Sequence, residues 1–171
     1  MSDNRNVWVF AEQNGGKLNE VALSSETDMF VTILIMCLDY ANHAICMANA
    51  GHCYPLLRTT GGEVTRVEGA NGFPVGITEQ AEFPEETFPV HPGDVMCMFT
   101  DGIIEAMNEE DEQLGYEKLT EQLAAGSPAP EEVLARVQSA IRDHAGMAPQ
   151  SDDLTLVCFG RSDNGAGEAG D

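Results

Sequence analysis

Two places in the chain put carboxylates where apolar runs end. Asp101 follows Val95-Met96-Cys97-Met98-Phe99-Thr100 and precedes Gly102, while Asp152 and Asp153 stand just before Leu154-Thr155-Leu156-Val157-Cys158-Phe159. If both runs are strands and antiparallel neighbours, the C-terminal end of the first lies beside the N-terminal end of the second. The carboxylates then meet on one rim of a sheet. Hard oxygen donors gathered at one point suit Mg²⁺ or Mn²⁺, which with bound waters can hold a phosphate oxygen or activate a water molecule. Each residue also has a plain structural use, Asp101 as the N-cap of a helix near Ile103 and Asp152-Asp153 as a surface turn. Gly102 would let the backbone turn away and leave room for an ion against the main chain.

The elements that must position these residues follow from pattern. His91-Pro92-Gly93-Asp94 reads as a turn opening the strand at 95–100, and residues 154–159 read as a final strand. Between them lie a solvated acidic loop, Asn108-Glu109-Glu110-Asp111-Glu112, and two helices. The first, over 117–124, places Leu119 and Leu123 one turn apart. The second starts at Pro130 with Glu131 and Glu132 at the positive end of its dipole, carries Val133, Leu134, Val137 and Ile141 as one stripe, and stops at Gly146.

Upstream, residues 29–39 are apolar on both alternating faces, as in a strand covered on both sides. A turn at 40–43, strands at 44–48, 54–58 and 64–67, a bend at Asn49-Ala50-Gly51-His52 and a hairpin at Gly61-Gly62 together predict an antiparallel meander. Residues 69–76 form a loop, and Pro84 and Pro89 make 82–90 an edge strand or an irregular one. Toward the N-terminus, 1–6 read as loose, 7–10 as a short strand or the start of a helix, 18–23 as a helical turn or two and 24–28 as a loop, with Gly15-Gly16 interrupting any regular element. The order of strands, then helices, then one returning strand predicts an α+β fold with helices segregated to a face of a mainly antiparallel sheet.

A chain of 171 residues with 43% hydrophobic content is long enough for one domain with its own core. Its net charge of -21 speaks against nucleic acid or an anionic membrane as partner, since both would be repelled, and favours cations or basic proteins. The five cysteines, Cys37, Cys46, Cys53, Cys97 and Cys158, show no CxxC spacing and fall in or beside apolar runs. They read as free thiols in a reducing compartment, and with no secretory segment and no apolar run long enough to span a bilayer the expected location is cytoplasmic. Residues 69–76 lack the GK[ST] of a P-loop, and 108–117 lack the alternating ligands of an EF-hand.

Four segments occur together in an order that resembles one family: Asn49-Ala50-Gly51-His52 followed by Pro55, Gly72-Phe73-Pro74-Val75-Gly76, Thr100-Asp101-Gly102 with Glu105, and Asp152-Asp153-Leu154-Thr155. The chain looks like the C-terminal two-thirds of a bacterial PPM-type (protein phosphatase 2C-like) serine/threonine phosphatase of the SpoIIE and RsbU branch. Leu18-Asn19 and Met29-Phe30-Val31-Thr32 also resemble that branch's helix and following strand. The resemblance implies a truncated α-β-β-α sandwich over residues 17–160, with a poorly defined segment at 1–16 and a disordered acidic tail at 161–171. It implies two divalent cations, Mn²⁺ or Mg²⁺, and in-line attack by water on a phosphoserine or phosphothreonine. By motif position Asp101 and Asp152 correspond to metal ligands, and Asp153 is the weaker candidate. Gly51, Gly76, Gly102 and Thr155 correspond to structural motif positions, and His52 to a packing or hydrogen-bonding residue. The implied substrate is a phosphorylated regulatory protein of the anti-sigma antagonist type. The family's first metal-binding segment, a DxxGxG-like turn, has no counterpart before Leu18, and Asp3 lacks the glycines to replace it. The expected alternative to an enzyme is therefore a catalytically weak or inactive phosphatase domain that serves as a protein-binding module, with strand edges and apolar faces left uncovered.

Overall fold

The computed structural model describes residues 5–25 and 30–162, with residues 5–14 described by their backbone only. The expectations for residues 1–4, for the loop at 26–28, for Met29 and for the tail from 163 onward lie outside the described residues. The chain divides into two compact units. One holds Met1–Tyr54 and Glu68–Val90, the other Pro55–Val67 and His91–Asp171.

In the first unit, helix α1 (Arg5–Ser24) runs without a break through Gly15-Gly16, where an interruption was expected. Close packing explains the first glycine, because a Cβ at Gly15 would lie 2.7 Å from the Phe83 ring. Strands β1 (Ile33–Asp39) and β2 (Ala44–Ala50) pair antiparallel through the predicted turn at 40–43, with Ile33 opposite Ala50 and Asp39 opposite Ala44. The core strand is β2, nearly all of it buried. β1 is the outer strand among the described residues and is only half-buried, with Leu38 exposed, so the expectation of a strand covered on both faces fails. The short β5 (Asn71–Gly72) joins β2 parallel, and β6 (Glu86–Pro89), within the stretch read as an edge or irregular strand, joins it antiparallel. Ala50, Val75 and Phe83 form one buried cluster of this unit, with Ala22 of α1 and Ile33 packed against them.

The second unit holds the other sheet, in the order β4-β3-β7-β8. β3 (Leu56–Arg58) and β4 (Val64–Arg66) form the hairpin announced by Gly61-Gly62. β3 pairs with β7 (Val95–Phe99), not with β2, so the upstream strands are two hairpins in two sheets and not one meander. β7 pairs antiparallel with β8 (Leu156–Gly160). Between β7 and β8 come α2 (Asp101–Ile104), α3 (Gly115–Ala124) and α4 (Pro130–Ala145). Leu119 and Leu123 of α3 and Val133, Val137 and Ile141 of α4 are buried, each side chain worth about 1.5–3 kcal/mol relative to exposure. Phe99 of β7 meets the Tyr116 ring of α3 edge-on at 5.8 Å, which fixes this helix over the sheet face that carries Val95, Cys97 and Phe99. The fold is therefore α+β with mainly antiparallel sheets, as the sequence predicts. No helix among the described residues is long and apolar enough to cross a membrane.

Candidate functional site

The antiparallel pairing of β7 and β8 sets Phe99 opposite Leu156, so the residues after Phe99 and before Leu156 share one rim. Here the ladder continues through two threonines. The Thr100 N–H donates to the Thr155 carbonyl at 3.1 Å, and the Thr155 N–H donates to the Thr100 hydroxyl oxygen at 3.0 Å. That hydroxyl in turn donates to the Asp153 carbonyl at 3.0 Å. One side chain thus ties the exit of β7 to the approach of β8. Being used across the rim, it makes no cap bond to α2, although Thr100 occupies the N-cap position and Asp101 is already helical.

Gly102 is where the two segments touch. A Cβ there would sit 2.5 Å from the Asp153 carbonyl oxygen and 3.3 Å from Asp152 Cβ, so no larger residue fits unless the 152–153 segment moves. The contact brings Asp152 against the residue that follows Asp101. Asp101 Oδ1 accepts the Gly102 N–H at 3.1 Å, and Asp152 Oδ1 accepts the Asp153 N–H at 2.7 Å. Neither Oδ2 has a hydrogen-bond partner among the described residues. Both side chains are exposed, as is Asp153. Beside them opens a cleft of about 310 Å³ walled in part by Met107, Ile141 and Leu154. Among the described residues no three His, Cys, Asp or Glu side chains gather to hold a metal ion.

The remaining motif residues lie in the other unit. Gly51 has φ +71° and packs against Pro74, so its motif position requires glycine. His52 donates its N–H to Asn49 Oδ1 at 2.8 Å, its carbonyl accepts from Asn49 Nδ2 at 3.0 Å, and its ring Nδ1 lies 3.2 Å from the Thr32 hydroxyl. Gly76 donates its N–H to Asn19 Oδ1 at 2.8 Å, while Asn19 Nδ2 donates to the Thr78 carbonyl. Sequence reasoning missed the roles of Thr100, Asn19 and Asn49. A polar side chain at the end of an apolar run was the available signal for Thr100, and Asn19 and Asn49 are buried amides that must find partners.

The family model for stage II sporulation protein E (SpoIIE) matches residues 11–162. The chain belongs to the SpoIIE family. Among curated proteins, this SpoIIE-family domain is similar to Protein IcfG of Synechocystis, 27% identical over 134 residues that cover 78% of the chain and 21% of that protein. Among solved structures it is similar to the SiaA-PP2C domain of Pseudomonas aeruginosa, with TM-score 0.73, 21% identity, 86% of this chain and 59% of that one. It is also similar to the PP2C phosphatase domain of SpoIIE from Bacillus subtilis, with TM-score 0.68, 18% identity, 82% of this chain and 41% of that one. These likenesses show that the SpoIIE-family domain has the fold of PP2C-type phosphatases. The chain spans about a fifth of the curated relative's length and less than two-thirds of either structure.

Proposed function

We propose that this domain is a metal-dependent protein serine/threonine phosphatase that hydrolyses phosphoserine or phosphothreonine in a regulatory phosphoprotein of the anti-sigma antagonist type. The phosphatase domain spans 17–160, flanked by 1–16 and 161–171, and its setting is cytoplasmic, a reading that free cysteines support. The observation that supports the activity is that the segments carrying Asp101 and Asp152 meet at the β7/β8 rim, with Gly102 against the 152–153 segment.

The donor chemistry fits one hard divalent cation, since Mg²⁺ is commonly held by one or two carboxylates with waters and phosphate oxygens completing the shell. Asp101 and Asp152 would hold it. Asp153 is the weaker candidate ligand, since the motif correspondence falls on the first aspartate of the pair; its main chain bonds the Asp152 carboxylate and the Thr100 hydroxyl. Support for Mn²⁺ or Mg²⁺ comes from relatives: one SpoIIE phosphatase domain was solved after presoaking with Mn, and RsbX, with TM-score 0.55 and 15% identity, in complex with magnesium. A bound divalent cation supplies charge to a phosphoryl oxygen and lowers the pKa of a bound water. The chain's own part is positional. Thr100 and Gly102 hold the two carboxylates in register, and the cleft beside them gives the phosphorylated side chain somewhere to enter. A net charge of -21 favours a substrate protein with a basic face.

Mn²⁺-dependent hydrolysis of a phosphoserine peptide, measured for the wild type and Asp101→Ala, tests this reading. Loss in the variant is expected, and equal rates would sink it. A second reading, a protein-binding module with little turnover, is favoured because no three His, Cys, Asp or Glu side chains gather to hold a metal ion among the described residues. Calorimetric titration with Mn²⁺ separates the two: binding that Asp101→Ala removes supports the enzyme, and no binding supports the module.

A further inference from the structure

Cys97 of β7 and Cys158 of β8 are direct partners in the antiparallel register, and their sulfurs lie 2.9 Å apart. Cα atoms so opposed are about 4.5–5.5 Å apart, inside the roughly 4.4–6.8 Å that a disulfide spans. Closing the S–S bond needs the sulfurs to approach by less than about 1 Å. Cys97 is fully buried, whereas Cys158 is partly exposed on β8, the outer strand of its sheet among the described residues.

A second cysteine pair provides the contrast. Cys37 and Cys46 oppose each other in β1 and β2 with the same kind of register. There the Cys46 thiol donates to Glu85 Oε2 at 3.8 Å, and the two sulfurs form no hydrogen bond to each other. Register alone does not pair the sulfurs. The β7/β8 pair has both register and contact.

We propose that Cys97 and Cys158 form a reversible oxidation site that takes hydrogen peroxide and closes to a cross-strand disulfide, locking together the strands whose ends carry Asp101 and Asp152. The hydrogen bond between the two thiols holds Cys158 below the usual range despite burial, and the same bond, with burial, pushes Cys97 far up. Cys158 is thus the attacking thiolate and Cys97 the resolving thiol. The Cys158 sulfur attacks a peroxide oxygen, the O–O bond breaks, a sulfenic acid forms, and the departing hydroxide takes up a proton and leaves as water. The Cys97 thiol then gives up its proton as its sulfur attacks Cys158. The S–O bond breaks, the S–S bond forms, and hydroxide leaves with that proton as a second water. Two thiols lose two electrons, the peroxide gains them, and an external dithiol reverses the change.

The site does not depend on the phosphatase reading, and its test has a readout separate from turnover. The full chain is treated with stoichiometric hydrogen peroxide at neutral pH, quenched with iodoacetamide and digested without reductant for peptide mass spectrometry. The expected product is a peptide linked through Cys97 and Cys158, at least tenfold more abundant than any Cys37–Cys46 link and released by dithiothreitol. The triple variant Cys37→Ser, Cys46→Ser, Cys53→Ser should still give the link, and Cys158→Ser should not. Alkylated Cys97 beside sulfinic Cys158, or a link no more abundant than that of Cys37 and Cys46, would overturn the proposal.

Discussion

The β1/β2 and β7/β8 pairs hold the same kinds of residue and put them to different use. Each sets a cysteine opposite a cysteine, and each has an aspartate where a strand ends, Asp39 at the close of β1 and Asp101 just past β7. β1 and β2 are joined by a tight turn, and Asp39 is spent on making it. Its Oδ1 accepts the N–H groups of Ala41 and Asn42, and its Oδ2 accepts from the Asn42 amide. β7 and β8 are joined through helices, so no turn consumes Asp101. A hydroxyl, Thr100, does the tying instead and leaves a carboxylate oxygen on each side without a hydrogen-bond partner among the described residues. The length of the connection, more than the type of residue, decides whether a strand-end aspartate is a turn former or a candidate ligand.

The largest effect should come from exchanging the two aspartates for asparagine. Asp101→Asn is expected to lower Mn²⁺-dependent phosphopeptide hydrolysis on the order of 100-fold or more. Asp39→Asn should leave that rate unchanged and cost about 1 kcal/mol in urea unfolding; a comparable loss of rate would break the comparison. Next comes Gly102→Ala, whose added methyl collides with the Asp153 carbonyl. Displacing the 152–153 segment should weaken Mn²⁺ binding about tenfold by calorimetry, and unchanged affinity would mean that the contact does not set the rim. Thr100→Val should cost about 1–2 kcal/mol of stability through the two hydrogen bonds its hydroxyl makes. Thr32→Val, at an exposed residue beside His52, should cost under about 0.5 kcal/mol in the same unfolding assay. Smallest is a difference in pH profile. With its thiol lowered by Cys97, Cys158 should oxidise at a rate that levels off at lower pH than that of Cys46, which is raised first by burial. Coincident profiles in timed alkylation would remove the distinction between the two cysteine pairs.

Much of the second unit was legible because its signals are local. Pro130, the two glutamates after it, the Val133-Val137-Ile141 stripe and Gly146 bound α4 as expected, and the apolar runs at 95–100 and 154–159 became the paired β7 and β8. That the segments carrying Asp101 and Asp152 share one rim followed from that pairing. What failed was non-local. Turn chemistry at 40–43 and at Gly61-Gly62 indicates that strands fold back, but not which sheet they join, so two hairpins were read as one meander. Gly15-Gly16 looked like a break because the sequence does not show that Phe83 presses on that face of the helix. The apolar run leading into β1 looked interior on both faces, yet Phe30 and Val31 are exposed. Hydrophobicity records what a residue prefers and not which neighbour supplies it.

The bond from the Thr155 amide to the Thr100 hydroxyl has a spectroscopic consequence. Thr155 is exposed and lies outside the regular ladder, where a backbone amide would ordinarily trade its proton with water quickly. Sequestered by a side chain 55 residues away in the sequence, and not by a backbone carbonyl of the sheet, it should exchange slowly only while the rim is assembled. One peak in a deuterium-exchange series thus becomes a gauge of the whole β7/β8 junction, readable without substrate, cation or turnover.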